Sequence, residues 1–184
     1  MLEAIFFSLW FFAPAGFANL AAFASGKIGF LKKYNFPADF YIKIKGKRLL
    51  GSHKTIRGFI SAILFGIIIC LFEKGGYNLF FTIRELIPLD YYTINPIILG
   101  GLLGFGALAG DSIKSLFKRL RSIPPGESWF PFDQIDYIIG GVVFSLFYIQ
   151  LSLGMYVVLF IIWFLMHPLI SFIGYLFRLR HNPI

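Results

Sequence analysis

Five apolar stretches alternate with shorter polar segments along the chain: Ala4–Ser25, Ile56–Phe72, Ile94–Ala109, Tyr137–Gln150 and Leu153–Phe177. A helix that crosses a bilayer needs about 20 mostly apolar residues, and these stretches meet or approach that length. Each predicts a helix, because lipid cannot satisfy an open backbone. The fourth is short and borrows from its flanks, and Ser152–Gly154 allows a tight turn into the fifth. The pattern predicts an all-α polytopic bundle of five transmembrane helices. It forms a single integral membrane domain over residues 1–184, with polar loops carrying the chemistry.

Composition strengthens this picture. Of 184 residues, 58% are hydrophobic and only 14% charged, whereas a soluble domain averages about 25% charged. Lipid is the natural solvent for such a surface. The N-terminal stretch carries Glu3 and no basic leader, and it is longer than the apolar core of a signal peptide. It is therefore expected to be a retained first span. The single cysteine, Cys70, lies within an apolar run and is expected to act as buried filler; thiol metal sites and disulfides within one chain are excluded.

The net charge of +8 would suggest nucleic acid for a soluble chain. Here its distribution argues for membrane orientation instead. Nine basic residues (Lys27, Lys32, Lys33, Lys43, Lys45, Lys47, Arg48, Lys54, Arg57) separate the first and second stretches. Four more (Lys114, Lys118, Arg119, Arg121) separate the third and fourth, and Arg178 and Arg180 lie in the tail. Only Lys74 and Arg84 fall on the other side, beside Glu73, Glu85 and Asp90. With 15 of 17 basic residues on one face, that face is expected to be cytoplasmic. The N-terminus is then outside and the C-terminus inside a plasma membrane. The aromatic-rich segment 74–93 is expected to lie partly in the outer interface.

The two basic loops hold more than topology requires. Gly100, Gly101, Gly104, Gly106 and Gly110 give small-residue spacing that lets helices approach closely, and Asp111 follows at once. A carboxylate near hydrocarbon is costly and marks a functional site by default. If the helix continues, Asp111, Ser115, Lys118 and Ser122 share a face, with Lys114 nearby. Such a stripe offers a carboxylate for a metal and cations and hydroxyls for phosphate oxygens; a snorkelling amphipathic helix is the plainer alternative. Pro124, Pro125 and Gly126 break the helix, and Asp133 and Asp136 open the fourth stretch. Capping accounts for one acid there, and not for the second. Three acids at one membrane level suit one or two Mg²⁺ ions.

The first basic loop ends in Gly51-Ser52-His53-Lys54-Thr55-Ile56-Arg57-Gly58. Lys54, Thr55 and Arg57 suit phosphate binding at a helix start, although the spacing is not that of a P-loop. Pro14 is expected to kink the first helix, and Asn19 to hydrogen-bond a neighbour or line the site. His167 is expected to pack between helices. Trp129 and Phe132 suit either stacking on a base or the interface.

Taken together, Gly110-Asp111, Ser115, Lys118-Arg119, Pro125-Gly126 and Asp133-Gln134-x-Asp136 resemble the signature of membrane CTP:lipid-phosphate cytidylyltransferases. With Pro14, Asn19, Pro37-x-Asp39 and Leu50-Gly51-x-x-Lys54-Thr55-x-Arg57-Gly58, the short chain looks like the CDP-archaeol synthase family. The extra N-terminal spans and longer acidic signature of larger phosphatidate cytidylyltransferases are absent. The resemblance implies that an unsaturated archaetidic acid attacks CTP, giving CDP-archaeol and pyrophosphate with Mg²⁺ required. It implies Asp111, Asp133 and Asp136 as metal-binding and catalytic acids, with Lys118. It implies Asn19, Lys54, Thr55, Arg57, Ser115, Lys118 and Arg119 on the CTP phosphates. The expected partners are CTP, a lipid phosphate and the bilayer, with a homodimer left open and nucleic acid excluded. A phosphatidate cytidylyltransferase and a CTP-dependent polyprenol kinase are the enzymatic alternatives. A small transporter or scaffold is disfavoured, because transporter charges belong at the midplane and these acids cluster at one boundary.

Overall fold

The computed structural model describes residues 1–44, 46–51, 53–124 and 127–176. Lys45, Ser52, Pro125, Gly126, Phe177, Arg178 and Arg180, which figure in the sequence reading, lie outside the described residues. Helices dominate: α1 (Leu2–Ser25), α2 (Ile56–Leu79), the short α3 (Phe81–Leu86), α4 (Pro96–Leu120), α5 (Phe132–Ser145) and α6 (Leu153–Leu176). The all-α expectation meets one small exception. A hairpin of two-residue strands, β1 (Lys43–Ile44) and β2 (Lys47–Arg48), pairs antiparallel in the first basic loop.

The helices differ from the apolar stretches at their ends, for identifiable reasons. α1, α2 and α4 are each long and apolar enough to cross a bilayer, and α1 runs through Pro14 unbroken. α2 continues seven residues beyond Phe72, to Leu79, with Glu73 turned inside the bundle. The polar Glu73-Lys74 pair that ended the apolar stretch therefore does not end the helix. α4 starts at Pro96, capped by the Asn95 side chain on the Ile97 and Ile98 N–H groups. It then runs past Ala109 to Leu120, carrying Asp111 to Arg119 on a helix instead of a loop. α5 is shifted toward the N-terminus, covering Phe132–Ser145 instead of Tyr137–Gln150, so Asp133 and Asp136 are helical. The acids therefore stand on helices, where loops were expected. Segment 74–93 comprises the end of α2, the short α3 and the turn that leads into α4.

α4 is the axis of the bundle, flanked by α2 and α5 and crossed by α1. Its glycines explain how. A Cβ on Gly104 would lie 3.0 Å from the Ala62 carbonyl carbon and 3.1 Å from Ile63 Cα on α2. On the opposite face, a Cβ on Gly110 would lie 2.9 Å from the Asp136 carbonyl carbon and 3.1 Å from Gly140 Cα on α5. Pairs four residues apart thus bring two helices to backbone contact on two faces, as small residues do in membranes.

The apolar core gathers Phe7, Phe11 and Phe12 of α1 with Leu99 and Leu103 of α4, Ile138 of α5 and Leu159 of α6. Two hydrogen bonds key α6 onto it. Trp163 Nε1 donates to the Ser8 carbonyl at 2.9 Å, and Tyr137 Oη donates to the Trp163 carbonyl at 3.1 Å. His167 packs over the Tyr137 ring, with centroids 6.0 Å apart, as its packing role requires. Cys70 is buried.

Candidate active site

The close α4–α5 crossing places Asp111 and Lys114 of α4 beside Asp133 and Asp136 of α5. Lys114 Nζ lies 3.1 Å from Asp111 Oδ1, 2.8 Å from Asp133 Oδ1 and 2.6 Å from Asp136 Oδ2. One ammonium therefore touches all three carboxylates. Lys54, just before α2, pairs with the other oxygen of Asp111. Lys118, one helical turn beyond Lys114, donates to both oxygens of Asp133 at 3.0 Å and to the Glu127 carbonyl at 2.6 Å. The cluster is electroneutral, three carboxylates against Lys54, Lys114 and Lys118. Pairing is what makes it tolerable, since buried charges without partners cost several kcal/mol each (order of magnitude).

Local structure holds each acid in place. Asp133 occupies the first turn of α5, where the helix dipole favours a carboxylate, and accepts the Trp129 N–H as well. Asp136 accepts its neighbour's N–H, from Tyr137, through Oδ1. That leaves Oδ2 for Lys114.

Two cavities reach the cluster. A polar one of about 210 Å³ lies between α1, α2 and α4, lined by Asn19, His53, Lys54, Thr55 and Asp111 among others. Thr55 caps α2, its hydroxyl accepting the Gly58 N–H at 3.1 Å. The helix therefore turns its positive N-terminal end toward this cavity, a ready site for anions. A second, apolar groove of about 460 Å³ runs between α4 and α5, with Lys114 and Asp136 among its lining residues.

The structure does not gather every expected residue. Asn19, Lys54 and Thr55 line the polar cavity. Arg57 does not. Its Nη1 donates to the Leu31 carbonyl at 2.9 Å, and it lines a different cleft, with Leu31, Tyr34 and Ile60. Its direction along α2 carries it away from the acids, toward the preceding loop. Ser115 points its hydroxyl back to the Asp111 carbonyl at 2.8 Å. Ser122 has left the helix, with φ +60, so the predicted stripe stops at Lys118. Arg119 lies beside the Gly51 turn, and among the described residues no ion pair joins it to the acids. Trp129 and Phe132 pack on each other at 4.3 Å, with Arg121 over Trp129.

Lys114 is the residue that sequence reasoning undervalued. Its spacing of three from Asp111 was visible, but its other two partners belong to another helix. Asp39 is a second case. It is buried at 3% exposure and accepts from Arg48 Nη2 at 2.9 Å, Leu50 N at 3.1 Å and Tyr41 N at 3.2 Å. Burial alone would raise its pKa. The Arg48 hydrogen bond, the Leu50 N–H, the Arg48 charge and the Tyr41 N–H together outweigh that and hold the carboxyl below the usual range. Asp39 thus ties β2 to Leu50, four residues before Lys54.

Known proteins share this arrangement of chain. A model of the CarS-like CDP-archaeol synthase family matches residues 1–184. The CDP-archaeol synthase of Methanopyrus kandleri is 35% identical over 180 residues, covering 95% of this chain and 91% of that protein. That of Methanocaldococcus jannaschii is 33% identical over 175 residues, covering 93% and 92%. That of Methanospirillum hungatei is 32% identical over 145 residues, covering 75% and 82%. A solved structure of an intramembrane enzyme for archaeal membrane lipids biosynthesis superposes with a TM-score of 0.67. It covers 86% of this chain and 89% of that one at 23% identity, a likeness of fold.

Proposed function

The chain belongs to the CDP-archaeol synthase family, and on that premise we propose that the carboxylate–lysine cluster between α4 and α5 is its catalytic centre. The protein is a membrane cytidylyltransferase that joins CTP to a lipid phosphate. A phosphate oxygen of the lipid, an unsaturated archaetidic acid, attacks the α-phosphorus of CTP. The bond from that phosphorus to the bridging oxygen breaks, and CDP-archaeol and pyrophosphate leave. The nucleophile is already an anion, so no strong general base is needed. What the reaction needs is neutralisation of two polyanions and in-line placement.

The convergence of Asp111, Asp133 and Asp136 on one point, beside a polar cavity holding Lys54 and Thr55, carries this reading. Lys54 and the first turn of α2 receive phosphate oxygens there, and Asn19 faces the same space. Lys118 is committed to Asp133 and Glu127, which makes it a positioning residue for that carboxylate. Arg57 braces the preceding loop. The donor set fits a divalent cation: three hard oxygens, each within 3.1 Å of the Lys114 ammonium, from carboxylates of the kind that bind Mg²⁺. Among the described residues no three such side chains already form a cage. Asp111, Asp133 and Asp136 would hold the Mg²⁺, which when bound supplies charge neutralisation of the triphosphate.

The topology proposed with this chemistry has five spans, α1, α2, α4, α5 and α6, with the N-terminus outside. The basic N-terminal end of α2, the basic C-terminal end of α4 and the acidic N-terminal end of α5 then share the cytoplasmic side with soluble CTP. The cluster lies at that boundary, so the lipid head group meets the nucleotide without leaving the bilayer.

The test is incubation of purified protein with labelled CTP, Mg²⁺ and a panel of lipid phosphates. CDP-lipid and pyrophosphate are the expected products, with the ether-linked isoprenoid substrate preferred over phosphatidic acid. Release of CDP would indicate a kinase instead. Asp133→Asn and Asp136→Asn are expected to lose turnover by 10²-fold or more, on the order seen when transition-state electrostatics are removed, while remaining folded. Wild-type turnover in both would end the reading.

A further inference from the structure

Lys114 stands where the proposed cation must go. Its Nζ is 2.6–3.1 Å from one oxygen of each of the three carboxylates. An ammonium has three N–H donors and no acceptor, so these three contacts use all of them. The side chain is 14% exposed. Mg²⁺ binds carboxylate oxygens at about 2.0–2.1 Å. An ion held by these carboxylates therefore takes the space between them, and a second cation cannot remain in contact with it.

We propose that Lys114 is a tethered counter-ion that holds the three carboxylates together and is exchanged out of their midst by the divalent cation. The proposal rests on the cytidylyltransferase reading above. It assigns Lys114 a positioning role that neither Lys54 nor Lys118 can take. Among the described residues, Lys54 reaches Asp111 alone of the acids, and Lys118 reaches Asp133 alone. Without Lys114, the Asp136 side chain keeps, among the described residues, the Tyr137 N–H alone. The displaced ammonium has somewhere to go. The α4–α5 groove of about 460 Å³ is lined by Lys114 itself, with Phe117, Arg121 and Trp129 farther along the same helix face and the returning loop. A four-carbon stem pivoting there keeps its charge at the edge of the site, where anionic phosphates arrive. The arrangement also makes cation and nucleotide cooperate: the exchange releases an ammonium only when the metal is present to replace it.

Two measurements test this. Mn²⁺, read by electron paramagnetic resonance, is titrated into purified wild type, Lys114→Met and Asp133→Asn without CTP. Removing the competing ammonium is expected to tighten Mn²⁺ binding by about tenfold, in the range of ordinary site-to-site coupling. Asp133→Asn is expected to weaken it. Equal or weaker binding by Lys114→Met, with wild type binding and Asp133→Asn impaired, overturns the exchange and leaves the carboxylate reading standing. No binding by any of the three overturns both. The second measurement needs no substitution at Lys114. Wild-type protein is treated with an amine-acylating reagent with and without Mg²⁺, and modification is mapped by mass spectrometry. Acylation of Lys114 is expected to rise severalfold with Mg²⁺, relative to Lys74, which is tied to the Tyr92 and Ile94 carbonyls away from the cluster. Unchanged modification of Lys114 overturns the proposal.

Discussion

Replacing Gly110 by alanine tests whether the α4–α5 crossing sets the geometry of the site. The added Cβ would sit 2.9 Å from the Asp136 carbonyl carbon and 3.1 Å from Gly140 Cα, and nearer still to the Asp136 carbonyl oxygen. Carbon atoms rest at about 3.5–4.0 Å, so α5 must withdraw by roughly 1 Å. Both obstacles are backbone, and no side-chain rotation relieves them. Asp136 rides on the segment that moves. Its 2.6 Å contact with Lys114 would open to about 3.6 Å, beyond hydrogen-bond range. A displacement of about 1 Å at reacting groups costs on the order of 10²-fold in rate, while overpacking costs about 1–3 kcal/mol of stability. Gly110→Ala should therefore fold, with turnover reduced about 10²-fold. Gly101→Ala is the matched control. Its Cβ would meet only Ile67 side-chain atoms, at 3.9 and 4.0 Å, so activity should stay near wild type. The assay is the initial rate of CDP-lipid formation from labelled CTP in detergent, with circular dichroism and gel filtration as checks on folding. A Gly110→Ala enzyme as fast as Gly101→Ala would refute the argument.

Other expectations separate neighbouring residues. Lys54→Met should raise the KM for CTP far more than Arg57→Ala, because Lys54 lines the polar cavity and Arg57 does not; equal effects would move the nucleotide elsewhere. A cysteine at Lys32 should resist an impermeant thiol reagent in intact cells while one at Asn78 reacts, with native Cys70 buried and silent; the reverse would invert the orientation. Asp39 gives a pH signature. Its folded pKa lies below the ordinary aspartate value, so its contribution is full above the unfolded pKa and lost as pH falls through the folded one. Proteolysis of loop 37–51 should thus be flat from neutral pH down to about 4 and rise below it. Asp39→Asn should raise it at neutral pH, and a wild-type rate there would exclude the brace.

The membrane class was legible because hydropathy over about 20 residues is a local property. Helix ends were not, because burial decided them. Glu73 reads as the end of a span, yet its carboxylate faces the bundle interior and α2 continues. The acids at 111, 133 and 136 were visible as costly residues at a membrane boundary. Arg57 illustrates the limit. Its basic character suited phosphate, but the direction of its side chain depends on how far it stands around α2 from Lys54 and Thr55. Lys114 shows the opposite error. Its value lies in contacts with Asp133 and Asp136, 19 and 22 residues away in sequence, which no local pattern records.

The glycines of α4 connect fold and chemistry. Gly104 admits α2 on one face, and Gly106 and Gly110 admit α5 on another. With both neighbours at backbone distance, the ends of three helices must share one small volume at the boundary. Apolar side chains there would make a closed packing joint. Instead α4 and α5 carry three carboxylates, and each is matched by a lysine from α4 or by Lys54 from the loop that leads into α2. Such a cluster sums to zero formal charge with its partners in contact, so the pairing offsets the desolvation penalty that each charge carries. It is also poised to respond. On the exchange proposed above, a ligand that draws one lysine away would expose carboxylates to a metal, and a metal that binds them would free a lysine for phosphate. Polyanionic substrates and a divalent cation should then stabilise each other's binding, because the same ammonium groups would serve both.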